Sequence, residues 1–226
     1  YRMRFDPLYP LPILREHTKK IEIRKRELKP KKDLSLNEFE AFVSALSRLT
    51  AGTKYECLSL LARVQYGIYG RIQEAAALHC EDINLLTGEI TVRRKIMWPR
   101  VAGMQAEICQ GLKRGAGKVI RSKALSQLLN EWMLKSGIRN GLLFSIDGKP
   151  VPYRSIQHYY DSAFKMIGLL HSGTHILRHA SLTEHYATCQ DIQQTKVMAG
   201  HADLSTTQVY AKVRDVAIQA TQDQMD

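Results

Sequence analysis

Residues 174–213 read THILRHASLTEHYATCQDIQQTKVMAGHADLSTTQVYAKV. Apolar positions recur here at three- and four-residue spacing. That periodicity predicts helices over Ile176 to Ala187, Gln190 to Ala199 and Thr206 to Val213. His175 and Arg178 stand three apart, so on a helix they share a face. Gly200-His201 follows, and Tyr210 lies nine residues further on, in a short helix. Singly these residues say little. A helical tyrosine is ordinarily a packing aromatic, a lone histidine ordinarily makes a structural hydrogen bond, and His/Arg pairs one turn apart are common on solvated faces. As an ordered set they suit phosphoryl transfer.

The upstream half continues the same class. Ser35-Leu-Asn-Glu38 fits a capping box that opens a helix through Leu49. A second apolar helix spans Tyr55 to Tyr69 and is interrupted by Gly70-Arg71, after which Ile72 to Leu78 resumes helical spacing. Glu89 to Arg93 reads as a strand following the Thr87-Gly88 turn. Ala106 to Leu112 and Lys118 to Arg121 read as two further strands separated by a Gly115-Ala-Gly117 turn. Ala124 to Lys135 and Tyr153 to Ile167 are amphipathic helices. The expected fold is mainly α with a small antiparallel β-sheet.

Residues 1–33 differ in kind. Pro7, Pro10, Pro12 and Pro30 break any long helix, and 19–32, KKIEIRKRELKPKK, is crowded with cations. We read 1–33 as a basic linker and 34–226 as the folded catalytic domain. The chain opens on Tyr1, not Met, which suggests a piece of a longer protein.

The 226 residues carry 33 Lys plus Arg against 22 Asp plus Glu, a formal charge of +11, and 44% of them are hydrophobic. The chain can therefore bury a core while presenting a strongly cationic surface, and nucleic acid is the expected partner. Cys57, Cys80, Cys109 and Cys189 form no C-x-x-C pair and share no zinc spacing with a histidine. They read as reduced thiols of a cytoplasmic protein, with no metal site. No apolar run is long enough to span a bilayer.

The motifs H-x-x-R-H (175–179), G-H (200–201) and the tyrosine nine residues on resemble the core of the tyrosine recombinases, also called phage integrases. That family carries an earlier arginine as G-x-R-x-x-E-x-x-x-L followed by D-I. The chain has Gly70-Arg71-Ile-Gln-Glu74-Ala-Ala-Ala-Leu78, then Asp82-Ile83, so Arg71 stands beside the glycine with one residue fewer between. The resemblance runs from Leu34 to about Asp215.

The resemblance implies the integrase catalytic fold and a role for each motif. Arg71 and Arg178 would grip the non-bridging oxygens of a DNA phosphodiester in bidentate fashion and offset the charge that attack adds. His175 and His201 would hydrogen-bond the same phosphate or take the phenolic proton. Tyr210, whose free pKa is about 10, would be activated by nearby positive charge and would attack to leave a 3′-phosphotyrosine and a free 5′-hydroxyl. The linkage conserves the bond energy, so rejoining needs no ATP, metal or other cofactor. Glu74, one turn past Arg71, would orient the site. A hairpin lysine would protonate the leaving oxygen: Lys113, ahead of a Gly-rich turn, fits better than Lys95, although Arg114 stands where the family commonly has Thr. Met198-Ala199 replaces the commoner Leu-Leu before Gly-His, a packing change. His179 falls on another helix face and reads as structural, as do His17, His79, His158, His171 and His185. Arg93, Arg94, Arg100, Arg121 and Lys123 flank the hairpin and are candidates for phosphate contacts.

The implied protein is a bacterial or phage-encoded, nucleoid-associated enzyme that integrates or excises a mobile element. It would work as a homotetramer on double-stranded recombination sites, with a core-binding domain ahead of Tyr1, and a directionality or DNA-bending factor stays open. Two other readings stay open with it: a non-catalytic DNA-binding protein that keeps the fold, and a type IB topoisomerase-like enzyme.

Overall fold

The computed structural model describes residues 34–99, 104–112, 117–169 and 173–200. The expectations at His17, Arg100, Lys113, His171, His201, Tyr210, the helix over 206–213 and the basic segment 1–33 lie outside them.

The capping box at Ser35 forms: the Ser35 hydroxyl accepts from the Glu38 amide, and the Glu38 carboxylate accepts from the Ser35 amide at 2.9 Å. It opens α1, Leu36–Thr50. Phe39, Phe42, Val43 and Leu46 repeat at helical spacing and are all buried. The next helix, α2 (Cys57–Gly67), stops two residues before the expected end at Tyr69. There the amides of Tyr69 and Gly70 turn back onto the carbonyls of Tyr66 and Gln65, and Tyr69 takes a left-handed backbone, φ 52°.

Only one turn, α3 (Ile72–Ala75), follows Arg71, where helical spacing predicts a helix to Leu78. The reason is tertiary. The Leu78 carbonyl accepts from the Leu143 amide at 2.9 Å, and His79 forms a bridge with Leu142, so the chain must straighten there. A 3₁₀ turn, Cys80–Asp82, leads to β1 (Ile83–Asn84).

The sheet runs further than its sequence pattern suggests. After β2 (Glu89–Val92) the chain continues past Arg93 into β3 (Arg94–Met97), with Ile90, Val92, Arg94 and Ile96 all turned inward. The return run is β4 (Glu107–Gln110) against β3, then β5 (Lys118–Arg121) against β2. Val92 pairs with Lys118 and Arg94 pairs with Gln110, so one residue separates the two pairs on one side and seven on the other. β4 and β5 pair with β3 and β2 respectively and not with each other; of the expected turn, Gly115 and Ala116 lie outside the described residues. β1 pairs with the other edge of β2.

Four further helices complete the described chain: α4 (Lys123–Ser136), α5 (Tyr153–Met166), α6 (His175–Cys189) and α7 (Ile192–Ala199). A small hairpin of β6 (Ser145–Ile146) and β7 (Lys149–Pro150) precedes α5. The core centres on α1, α2 and α5. Phe42 stacks on Phe164 with centroids 4.2 Å apart and meets Tyr160 edge-on at 5.2 Å. Each such fully buried aromatic contributes about 2 kcal/mol by area removed from water. The mainly helical class with small antiparallel sheets is as expected. No helix among the described residues is long and apolar enough to cross a membrane.

Candidate active site

Gln65, fully buried on α2, organises two segments at once. Its backbone carbonyl accepts from the Gly70 amide at 3.0 Å, and its side-chain amide donates to the Thr174 carbonyl at 2.7 Å. The turn carrying Arg71 and the start of the helix carrying His175 and Arg178 are thereby tied to one residue. His175 is the first residue of α6 and is exposed; Arg178, one turn on, is buried.

Arg71 and Arg178 converge on Glu74. Arg71 Nη1 donates to Glu74 Oε1 at 2.9 Å, and Arg178 Nη1 lies 3.8 Å from Oε2. Glu74 also accepts from the Arg71 amide at 3.0 Å. The i, i+3 spacing of Arg71 and Glu74 makes this local pair; the approach of Arg178 is made by the packing of α6 on α2. The side chain of Glu74 is 5% exposed, as is that of Arg178, whereas that of Arg71 is 31% exposed. The buried carboxylate offsets the repulsion between two guanidiniums held at one place, and Arg71 is the one that opens outward.

A third cation joins them, and it is neither lysine singled out from the sequence. Lys118, first residue of β5, donates from Nζ to the Tyr69 carbonyl at 3.2 Å and to the Met198 carbonyl at 3.0 Å. Arg178 donates to the same Tyr69 carbonyl at 2.8 Å and to the carbonyl of Ala199. Burial, with the charges of Arg178 and Arg71, pulls the Lys118 ammonium down to about 7, against the opposing pull of Glu74. Lys95 lies on β3 opposite Cys109. Lys118 escaped the sequence reading because the ladder that carries it to the site is set by β2, some thirty residues earlier. The signal available was a lysine directly after a glycine and opening the strand before a helix.

Arg71 also lines a cleft of about 880 Å³, together with His175, Trp98, Lys149, Tyr153 and Arg154. The Trp98 ring packs on Tyr153, and its indole N–H donates to the Val151 carbonyl at 3.0 Å.

The flanking cations divide. Arg94 is buried, and its guanidinium donates to Asp82 Oδ2 at 2.7 Å and to Glu81. Arg93 pairs with Asp82 Oδ1 at 2.7 Å. As placed, both hold the 3₁₀ turn to the sheet. Arg121 pairs with Glu89 at 2.7 Å but remains 79% exposed, and Lys123 is exposed at the start of α4. The four cysteines are free thiols, and no cluster of metal-ligating side chains occurs among the described residues.

Comparison with known proteins points one way. The sequence model of the phage integrase family matches residues 32–216. The tyrosine recombinase XerD of Staphylococcus saprophyticus is 26% identical over 85% of this chain and 62% of its own length. XerC of Thermodesulfovibrio yellowstonii is 28% identical over 63% of this chain and 46% of its own. The chain thus spans about half to three-fifths of these relatives. Among solved structures, the Tn1549 transposon integrase in complex with transposon right-end DNA superposes with a TM-score of 0.65 at 16% identity, over 84% of this chain and 67% of that one. The XerH site-specific recombinase bound to a palindromic difH substrate gives 0.61 at 21% identity, over 84% and 52%.

Proposed function

Since the chain belongs to the phage integrase family, we propose that it is the catalytic domain of a site-specific tyrosine recombinase, which cleaves and rejoins DNA strands through a 3′-phosphotyrosine. The observation that carries the reading is the convergence of Arg71 and Arg178 on the two oxygens of Glu74, with Lys118 alongside. Arg71 opens to a cleft and Arg178 and Lys118 stand behind it, a cationic arrangement that suits a phosphodiester in the act of gaining charge.

In this reading the Tyr210 phenolate attacks the scissile phosphorus, a new P–O bond to tyrosine forms, and the bond to the 5′-oxygen breaks. Arg71, open to the cleft, holds a non-bridging oxygen; Arg178 adds charge from below. His175 and His201 bond the phosphate or accept the phenolic proton. Lys118 gives its proton to the departing 5′-oxygen and is left a neutral amine, in preference to Lys113 or Lys95. An amine near neutrality is matched to that transfer. Reversal by a second strand's 5′-hydroxyl rejoins the DNA. Arg121 and Lys123 meet flanking phosphates. We extend the reading to a homotetramer on double-stranded sites of a mobile element.

A nicked suicide duplex tests it. The expected result is a covalent protein–DNA adduct from the intact chain and none from Tyr210→Phe. Binding without adduct would reduce the protein to a DNA-binding module. Relaxation of supercoiled plasmid lacking any particular site would make it a topoisomerase.

A further inference from the structure

We propose that Tyr69 is a positioning residue: its left-handed backbone aims one carbonyl at both Lys118 and Arg178, and that carbonyl, with those of Met198 and Ala199, sets where the two cations meet the substrate. The proposal rests on Lys118 being the proton donor described above.

Tyrosine is an unfavourable occupant of φ 52°, because a side chain beyond Cβ is strained there. Such strain persists where the surroundings over-determine it, and it concentrates at functional sites. Here the Tyr69 amide is held by the Tyr66 carbonyl and the Gly70 amide by the Gln65 carbonyl, each at 3.0 Å. The ring lies 5.0 Å from that of His185. The result is a carbonyl whose two lone pairs take one proton from Arg178 and one from Lys118. These donors come from α6 and β5, so one backbone atom couples two elements far apart in sequence.

The other acceptors are equally placed. Met198 and Ala199 lie in the last turn of α7, where carbonyls have no amide partner within the helix and the helix end is negative. An ammonium has three protons. Two are directed at Tyr69 and Met198, and the third is the one the proton-transfer reading assigns to the leaving oxygen. Among the described residues, the charged groups that act on Lys118 are Glu74, Arg178 and Arg71. The residue directly after α7 is the left-handed Gly200.

Comparing Tyr69→Gly with Tyr69→Ala isolates the backbone. Both lose the ring and its contact with His185; only glycine enters the left-handed region freely. The first readout is the Lys118 titration, followed by NMR on 13Cε-lysine protein and assigned with Lys118→Arg. The second is cleavage of an ordinary suicide duplex against one with a 5′-bridging sulfur, a leaving group that needs no proton. We expect the glycine variant to keep a Lys118 midpoint near that of the unaltered chain and a cleavage ratio within threefold. In the alanine variant the midpoint should move, and the ordinary duplex should slow at least tenfold more than the sulfur duplex. Equal midpoints and equal ratios in the two variants would overturn the proposal. So would a folded glycine variant that loses both readouts, since the ring would then be the determinant, and this holds even if the alanine variant does not fold. If the unaltered chain forms no adduct, the recombinase reading falls, while the NMR comparison still decides the positioning role.

Discussion

The Lys118 ammonium donates to the Met198 carbonyl at 3.0 Å, joining the first residue of β5 to the last turn of α7. Eighty residues separate them in the chain. With the bond to the Tyr69 carbonyl, that contact brings a sheet-borne cation against the turn and the helix end that border the site.

A general acid must be protonated, and the Lys118 midpoint is lowered to about 7. Cleavage of an ordinary duplex should therefore fall as pH rises through 7, and Lys118→Ala should lose about 10²- to 10⁴-fold. With 5′-bridging sulfur both effects should shrink. For stability the sign is opposite. The folded midpoint lies below the unfolded one, near 10.5, so the unfolded chain binds the extra proton between them and stability rises with pH across that window. Urea titrations of Lys118→Met should show a flatter rise.

Glu74→Gln removes the only carboxylate between Arg71 and Arg178 that the described residues supply. Loss of a charged acceptor in a buried place should lower unfolding stability by about 2 kcal/mol in urea. Because Glu74 raises the Lys118 midpoint, the falling limb of the cleavage profile should also move to lower pH.

Gly117→Ala should disturb the site without altering any polar group in it. Gly117 has φ +111°, and an added Cβ would sit 2.7 Å from the Val92 carbonyl oxygen, a backbone atom of the paired strand. We expect a loss of about 2 kcal/mol and about tenfold slower cleavage, because Lys118 is the next residue. A variant as stable and as fast as the unaltered chain would contradict this account of the strand.

Arg94 and Arg121 should separate stability from binding. Arg94→Leu leaves the buried Asp82 carboxylate short of a partner and should cost about 3 kcal/mol of stability in urea. Arg121→Ala, at an exposed position, should leave the urea midpoint unchanged. It should instead reduce the slope of log affinity against log salt by about one.

The sequence by itself determined whatever depends on neighbours a few residues apart. The Ser35–Glu38 capping box, the Arg71–Glu74 pair and the shared turn of His175 and Arg178 all follow from helical spacing, which local sterics and hydrogen bonding enforce. Tertiary structure decided the rest. The expected helix to Leu78 ends at Ala75 because Leu78 and His79 pair with Leu143 and Leu142. Arg94 reads as a surface cation yet faces inward on Asp82, because strand alternation continues through Arg93. Lys118 reads as the first residue of a minor strand, yet pairing with Val92 and the carbonyls of Tyr69 and Met198 make it part of the site. Ladder register and the end of a distant helix are set by how elements pack, and no local period in the chain records them.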